Sequence, residues 1–191
     1  MRVKICGITR EEDALLAVSA GAWAVGAVVC SQSRRSIPLR KAARIFSAVE
    51  GTAITVAVSH SKLYEDLEQI LAIGPDAIQI SHPHHFDDRD VLLFRVVQRG
   101  DPIPSDCDAV ILDESHGMGI PLDTGFAREL VQRSQVPVIL AGGLNPENLG
   151  VAIRGLNPYA VDVASGVESA PGVKDPEKVK AFMEACRRLY A

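Results

Sequence analysis

A thiol and a carboxyl group stand at the ends of two short apolar runs, where they could accept and donate protons. The stretch Val3–Cys6 has the pattern of a strand that ends on the thiol of Cys6, and Gly7 lets the chain turn without covering it. The apolar run Ala109–Leu112 is followed directly by Asp113. One base and one acid that act on opposite sides of a small substrate suit general acid–base catalysis. A buried structural cysteine and a loop-capping aspartate are the alternatives.

Glycine-rich turns follow the last two predicted strands. Gly142 and Gly143 come after the seventh strand, and a helix expected from Pro146 starts just behind them. Ser165 and Gly166 come after the eighth strand. In barrels of parallel strands, the amide groups of such turns and a nearby helix N-terminus bind phosphate. We therefore expect a phosphate site here, although tight turns alone would give the same pattern.

Basic side chains accompany these groups. Arg34 and Arg35 follow the second predicted strand, where one of them could pair with a carboxylate of a ligand. Adjacent arginines are more often solvated surface residues. Lys4 alternates with Cys6 and so shares its side of the first strand, which makes it a candidate to stabilise a thiolate.

A histidine-rich segment is the one hint of a metal site. His82, His84 and His85 are interrupted by Pro83, which prevents helical i, i+4 pairing, and no second cluster has ligand spacing. We expect neither a metal nor a cofactor.

The elements that must position these groups are strands and helices in alternation. Eight runs rich in Val, Ile and Ala are predicted strands: Val3–Cys6, Ala24–Val29, Ala53–Val58, Ala77–Ile80, Leu92–Val97, Ala109–Leu112, Val136–Ala141 and Ala160–Val163. Predicted helices are Arg10–Ala20, Pro38–Val49, Lys62–Ile73, Phe126–Ser134, Pro146–Arg154 and Asp175–Tyr190. Thr9 and Glu12 resemble a capping box, and Pro38, Pro146 and Pro176 suit first-turn positions.

This alternation predicts an α/β fold, a (β/α)8 TIM barrel formed by residues 1–191 as a single domain. An open doubly wound sheet is the competing architecture, but the first turn lacks the glycine fingerprint common in that fold. The connections after the fourth and fifth strands have about eleven residues each. We therefore expect helices 4 and 5 of the barrel series to be shortened or missing.

Composition narrows the function classes. The chain has 191 residues, 47% of them hydrophobic, which is enough for a full core. A net charge of −4 gives no indication of a nucleic-acid surface, and no apolar run reaches membrane-spanning length. The four cysteines are far apart and the first predicted strand begins almost at Met1. We expect a reduced, cytoplasmic protein without a leader, whose partner is a small phosphorylated molecule rather than nucleic acid or membrane.

Several segments together resemble phosphoribosylanthranilate isomerase, a family of tryptophan biosynthesis. The resemblance runs from end to end, and its most specific parts are the first and the last two of these segments: "VKICGIT", "GAVVCSQSRRSIP", "AIQI", "AVILD", "GMG", "VILAGGLNPENL" and "YAVDVASGVESAPGVKDPEKV". It implies an Amadori rearrangement of N-(5-phosphoribosyl)anthranilate to 1-(2-carboxyphenylamino)-1-deoxyribulose 5-phosphate, without cofactor or metal.

The resemblance also implies roles for individual residues. Cys6 corresponds to the family's general base and Asp113 to its general acid. Arg35 would hold the anthranilate carboxylate, and Asp162 would lie close to the sugar and to Cys6. The phosphate site would be lined by Gly142, Gly143, Ser165 and Gly166.

Two stretches depart from the family pattern. After the sixth strand, the family often has a lysine and a tryptophan where this chain has Ile120 and Thr124, although Gly117 and Gly119 remain. After the fourth strand, the family histidine is displaced to His82. These departures indicate a divergent member of the family. We expect the protein to be a monomer or a homodimer. Two alternatives stay open: another sugar-phosphate isomerase or aldolase on the same barrel, and a non-catalytic module that binds a phosphoribosyl ligand.

Overall fold

A computed structural model describes residues 1–82, 84, 90–113 and 124–189. Its central feature is a closed barrel of parallel strands, in which β8 pairs with β1 to complete the ring. The strands are β1 (Arg2–Ile5), β2 (Ala24–Val28), β3 (Ile54–Ser59), β4 (Ala77–Ile80), β5 (Leu92–Val97), β6 (Ala109–Leu112), β7 (Val138–Leu140) and β8 (Ala160–Val163). The predicted (β/α)8 barrel is therefore confirmed.

Helices follow most of the strands. Within the described residues they are α1 (Glu11–Ser19), α2 (Leu39–Ala48), α3 (Tyr64–Leu71), α4 (Thr124–Arg133), α5 (Leu149–Ala152) and α6 (Pro176–Arg188). Residues 98–108, between β5 and β6, contain no helix, and neither do the described residues between β4 and β5. The predicted loss of helices 4 and 5 of the barrel series is confirmed over these residues. None of the described helices is long and apolar enough to cross a membrane.

The barrel buries two apolar layers, because alternate residues of each strand point inward and outward. Outward residues such as Val25 and Val161 pack against the helices in the larger cluster. Inward residues form the second cluster: Cys6, Ala24, Val28, Val56, Val58, Ala77, Phe94, Ala109, Ile111, Ile139, Ala141 and Ala160. Trp23 stacks on Phe94 with ring centroids 6.4 Å apart near the amino ends of the strands. Aromatic side chains therefore fill this end of the barrel.

The capping box predicted at the start of α1 is wrong. The hydroxyl of Thr9 donates to the carbonyl of Gly172 at 2.5 Å rather than capping α1, and Arg10 occupies the N-cap position without a side-chain cap bond. Thr9 thereby ties the loop after β1 to a segment 163 residues away, a use of its hydroxyl that local spacing does not reveal. Pro176, by contrast, begins α6 behind the capping carboxylate of Asp175, as the pattern predicted.

The helix predicted from Pro146 is reduced to a turn followed by Leu149–Ala152. Asn145 accepts from the backbone amides of Glu147 and Asn148 at 3.0 and 2.8 Å, while Asn148 accepts from the amide of Asn145 and donates to the carbonyl of Gly143. Asn145 thus accepts from amides that the first turn of a helix leaves unpaired, and the amide of Leu149 donates to the Asn145 carbonyl at 3.1 Å.

A small hairpin after β8 was not predicted. Ser165–Val167 form a 3-10 turn, and β9 (Glu168–Ala170) pairs antiparallel with β10 (Val173–Lys174). Gly172 connects the two strands with a φ of 79°, in the left-handed region that glycine adopts without strain. The hairpin brings Glu168 and Lys174 to the rim of the barrel.

Candidate active site

The carboxyl ends of the strands surround a cavity of about 70 Å³. Most of the residues predicted from the sequence line it: Cys6, Arg35, Asp113, Gly142, Gly143, Asp162 and Ser165. They come from the loops or ends of β1, β2, β6, β7 and β8, which are far apart in the chain. Closure of the barrel places them around one opening, as expected for the carboxyl face of this fold.

Cys6 follows β1 directly, and its amide donates to the carbonyl of Val163 at 2.8 Å. The residue is 8% exposed and belongs to the inner cluster, so its thiol faces the inside of the barrel as the alternation predicted. A side chain at Gly26 would place its Cβ 3.0 Å from the sulfur and 3.3 Å from the Lys4 Nζ. Gly26 therefore provides the space in which Cys6 and Lys4 meet.

Beneath the thiol lies a buried ion pair. Lys4 Nζ donates to Asp162 Oδ2 at 2.8 Å, and the two residues sit opposite each other in the β1–β8 register. Lys4 is fully buried and Asp162 is 7% exposed. Although burial opposes a charge on Lys4, the neighbouring Asp162 carboxylate and Cys6 raise its pKa above the ordinary lysine value. Lys4 therefore holds a positive charge beside Cys6.

Opposing effects act on the pKa of the Cys6 thiol. Burial raises the pKa of Cys6 above its ordinary value, while the charge and hydrogen bond of Lys4 oppose this rise and the Asp162 carboxylate adds to it. Lys4 thus favours the thiolate, while desolvation, which favours the neutral thiol, is the larger effect on the pKa of Cys6.

Asp113 follows β6, and its amide donates to the carbonyl of Val97 at 3.3 Å. The side chain is half-buried and lines the same cavity as Cys6. Gly117, Gly119 and Ile120, which the sequence singled out in the following loop, lie outside the described residues, whereas Thr124 is an exposed residue that begins α4.

Arg35 reaches the cavity from the loop after β2, but it already has a partner. Its Nε and Nη2 donate to the two carboxylate oxygens of Glu168 at 2.8 and 2.7 Å. Lys174 Nζ also donates to Glu168, at 2.9 Å. Burial favours the neutral acid, yet the Arg35 hydrogen bonds and the Lys174 charge outweigh it and lower the pKa of Glu168. A Cβ at Gly7 would lie 2.5 Å from the Arg35 Cδ, so the glycine leaves space for the Arg35 side chain.

The turns after β7 and β8 meet beside the cavity. Gly142 and Gly143 have φ values of 100° and 60°, and they line the cavity together with Ser165. Gly166 is not among the cavity-lining residues. A Cβ there would lie 1.9 Å from the carbonyl oxygen of Leu144, so Gly166 allows the two turns to pack together. The helix expected from Pro146 is a turn followed by α5, and the amides of Glu147 and Asn148 donate to Oδ1 of Asn145.

The histidines of the segment His82–His85 do not lie together in one site within the described residues. His82 lines a wider groove of about 1230 Å³ that shares Ser33, Arg35 and His60 with the cavity. His84 lies 3.4 Å from the carbonyl of Ser61 through its ring nitrogen, and His85 is outside the described residues. Within residues 1–82, 84, 90–113 and 124–189, no three His, Cys, Asp or Glu side chains are grouped as a metal site would require.

Sequence reasoning did not single out Glu168 or Gln79, two polar residues in or beside the site. Glu168 was not singled out, because only the fold brings it to Arg35, 133 positions away. Gln79 also lines the cavity and is 6% exposed. A glutamine at an inward position of the otherwise apolar strand β4 is a signal that could have revealed it.

Known proteins resemble this chain over nearly its whole length. A family model described as N-(5'phosphoribosyl)anthranilate (PRA) isomerase matches residues 3–185. The N-(5'-phosphoribosyl)anthranilate isomerase of Methanoregula boonei is 57% identical over 189 residues, which cover 98% of this chain and 97% of that protein.

Solved structures agree with the sequence relatives. The crystal structure of phosphoribosyl anthranilate isomerase from Thermus thermophilus superposes with a TM-score of 0.88 at 35% identity, covering 99% of this chain and 100% of the other. A phosphoribosyl anthranilate isomerase in complex with reduced 1-(o-carboxyphenylamino)-1-deoxyribulose 5-phosphate gives a TM-score of 0.82 at 32% identity, with the same coverage. From the matching family model and these relatives, we conclude that the chain belongs to the phosphoribosylanthranilate isomerase family.

Proposed function

We propose that the protein converts N-(5'-phosphoribosyl)anthranilate to 1-(2-carboxyphenylamino)-1-deoxyribulose 5-phosphate, in the cytoplasm, as a step of tryptophan biosynthesis. The observation that carries this proposal is the cavity that Cys6 and Asp113 line together, next to the glycine turns after β7 and β8. Membership of the family supports the reaction, and the shared cavity supports the proposed roles of Cys6 as base and Asp113 as acid.

In the proposed mechanism, the Asp113 carboxyl group donates a proton to the ring oxygen of the ribose as the C1–O bond breaks. The anilino nitrogen supplies the electrons and becomes a protonated imine. The Cys6 thiolate then removes the proton from C2, a C1=C2 bond forms, and the imine electrons return to nitrogen. Finally, C1 gains a proton and the C2 hydroxyl loses one. Carbon C1 is reduced as C2 is oxidised, so no external oxidant is needed.

The remaining residues would hold the substrate. The amides of Gly142, Gly143, Ser165 and Gly166 would bind the phosphate, since glycine turns allow close approach of an anion. Glu168 occupies the Nε–Nη2 edge of Arg35 and fixes its plane, so the anthranilate carboxylate would be bound through the Nη1 end. The aromatic ring would then extend into the groove beside His60 and His82.

A direct assay of isomerisation tests the proposal. The wild-type protein should turn over the substrate, and it should support growth of a tryptophan auxotroph that lacks this isomerase. Cys6→Ala and Asp113→Asn should each abolish turnover but change substrate affinity by less than about tenfold, because both groups act mainly in the transition state. Cys186→Ala, in α6 and away from the cavity, is the matched control and should remain active.

Two results would reject the proposal. Wild-type-like turnover by Cys6→Ala or Asp113→Asn would remove that residue from the mechanism. Binding of phosphorylated ligands by the wild type without any turnover would favour the non-catalytic module instead.

A further inference from the structure

Lys174 of β10 is a buried lysine that the mechanism proposed above does not use. Its side chain is fully buried, and its Nζ donates to Glu168 Oε1 at 2.9 Å and to the carbonyl of Ala164 at 3.0 Å. Ala164 lines the same cavity as Cys6, and it directly follows Val163. The Val163 carbonyl in turn accepts from the amide of Cys6 at 2.8 Å. The ammonium group therefore lies against the backbone that holds Cys6 in place.

Glu168 does not need Lys174 as a counter-charge. Arg35 already donates to both of its carboxylate oxygens, and the amide of Gly172 donates to Oε1 at 3.2 Å. A second cation buried beside a carboxylate that has a bidentate partner adds a further desolvation penalty. Burial indeed lowers the pKa of Lys174, although the Glu168 carboxylate opposes this shift. The second cation is therefore expected to serve another negative group.

The charged groups on the β8–β1–β2 side of the cavity leave one positive charge in excess. They are three cations and two carboxylates: Lys4, Arg35, Lys174, Asp162 and Glu168. Lys4 is paired with Asp162 and Arg35 with Glu168, so the charge of Lys174 is the one in excess. The negative group that this charge can face is the thiolate of Cys6.

The other charged or titratable groups nearby are paired or lie on other strands. The backbone amide of Lys174 donates to Asp13, but this carboxylate is bound by Arg10 at 2.6 and 3.0 Å. Asp113 and His60 also line the cavity, and they follow β6 and β3. Neither of these strands is next to β1 in the ring.

We propose that Lys174 is a positioning residue that acts through Cys6, because its buried ammonium group supplies the positive charge that stabilises the thiolate. This inference rests on the proposed function, in which Cys6 is the base, and adds a group that keeps the base ionised. Burial has the largest effect on the pKa of Cys6 and raises it, Lys4 and Lys174 lower it, and Asp162 raises it again. Since Asp162 offsets its partner Lys4, the charge of Lys174 has no equivalent counterweight, and its effect is strong because the site is desolvated.

The test measures the ionisation of Cys6 directly, without turnover. The full chain is alkylated with iodoacetamide at a series of pH values, and mass spectrometry of the tryptic peptide of residues 5–10 reports the rate at Cys6 alone. The midpoint of the rate against pH gives the thiol pKa. Lys174→Gln, which can still donate a hydrogen bond to Ala164 or Glu168, should raise this midpoint by about one pH unit. Lys174→Met should raise it equally.

Two variants separate the charge of Lys174 from its contacts. Lys174→Arg keeps the charge, so its midpoint should stay within about half a pH unit of the wild type. Lys178→Gln is the matched control, because exposed Lys178 donates to the backbone carbonyl of the same Glu168 at 2.7 Å. It should leave the midpoint unchanged. A shift as large in Lys174→Arg or in Lys178→Gln as in Lys174→Gln would show that hairpin geometry is responsible, and would overturn the inference.

Other outcomes separate this inference from the proposed function. If Lys174→Gln binds inorganic phosphate about tenfold more weakly in calorimetry but has the wild-type midpoint, Lys174 serves an anionic ligand and not the thiolate. If the wild type isomerises the phosphoribosyl substrate while the midpoint does not move in the neutral variants, only this inference fails. If the midpoint moves as expected and the wild type shows no turnover, only the proposed function fails.

Discussion

The two sides of the barrel rim secure their polar groups in different ways. On the β8–β1–β2 side, charges are buried in pairs: Lys4 with Asp162 within the barrel, and Arg35 with Glu168 above it. On the β4–β5–β6 side, where the described residues of the two connections contain no helix, Arg95 projects outward from β5. It donates to two loop carbonyls, those of His82 and His84, at 2.6 and 2.7 Å.

This difference shows what each side contributes. The buried pairs fix side chains whose charges face Cys6, so their geometry is set by strand register and by close packing. The Arg95 side chain, 7% exposed, supplies hydrogen-bond donors to two backbone carbonyls of the loop after β4. The β8–β1–β2 side therefore holds charged side chains in fixed positions near Cys6. The β4–β5–β6 side uses a charged side chain to anchor loop backbone.

The largest effect is expected from breaking the inner pair. Lys4→Met should lower the free energy of unfolding by about 3–5 kcal/mol, because it leaves the Asp162 carboxylate buried without its counter-charge. Urea denaturation measures this loss. The double variant Lys4→Met/Asp162→Asn should recover part of the stability, and a loss below about 1 kcal/mol for the single variant would contradict the comparison.

On the opposite side, Arg95→Met should cost about 1–3 kcal/mol in the same experiment. The loss is expected to be smaller because loop carbonyls can turn to water, whereas the Asp162 carboxylate inside the barrel cannot. Arg95→Lys is the matched control: it keeps the charge but not the planar fork, so it should recover only part of the loss. If Arg95→Met were more destabilising than Lys4→Met, the loops would be the better anchored side.

A substitution that adds volume but no charge tests the contact between Gly26 of β2 and the side chains of Lys4 and Cys6. Gly26→Ala should lower kcat about tenfold, because its Cβ would lie 3.0 Å from the Cys6 sulfur and displace the thiol or Lys4. Steady-state kinetics gives the answer. Gly150→Ala, where the nearest atom to an added Cβ is 3.6 Å away, should leave kcat unchanged.

The smallest effect concerns acid pH. The folded-state pKa of Glu168 is lowered, so its contribution to stability is complete above the pKa of the unfolded chain, near 4.5, and is lost as pH falls from there through the folded value. Glu168→Gln should therefore make the free energy of unfolding less dependent on pH below about 4.5. The free energy of unfolding is measured by urea denaturation at each pH. If it changes with pH equally in the variant and the wild type, Arg35 and Lys174 do not lower the pKa of Glu168.

Local pattern was enough to predict the architecture. Runs rich in Val, Ile and Ala marked the strands, and β4, β5, β6 and β8 have the predicted bounds. Turn or charged residues border β4 and β6 on both sides, which made these two strands the easiest to delimit. The eleven residues between β5 and β6 ruled out a full crossover helix simply by length. Cys6 and Asp113 were found at strand ends for the same reason, since the fold dictates where strand ends meet.

Only the tertiary structure determined which side chains form ion pairs and hydrogen bonds with each other. Lys4 and Asp162 are 158 positions apart, and nothing in either local sequence shows that β8 closes on β1 in the register that joins them. Thr9 was misread as part of a capping box because its hydroxyl donates to the carbonyl of Gly172, which is 163 positions away in the chain. Composition and length are properties of a chain segment, whereas hydrogen bonds and charges are satisfied in three dimensions. The sequence by itself therefore determined the barrel and the candidate residues at its rim, and the tertiary structure decided the ion pairs.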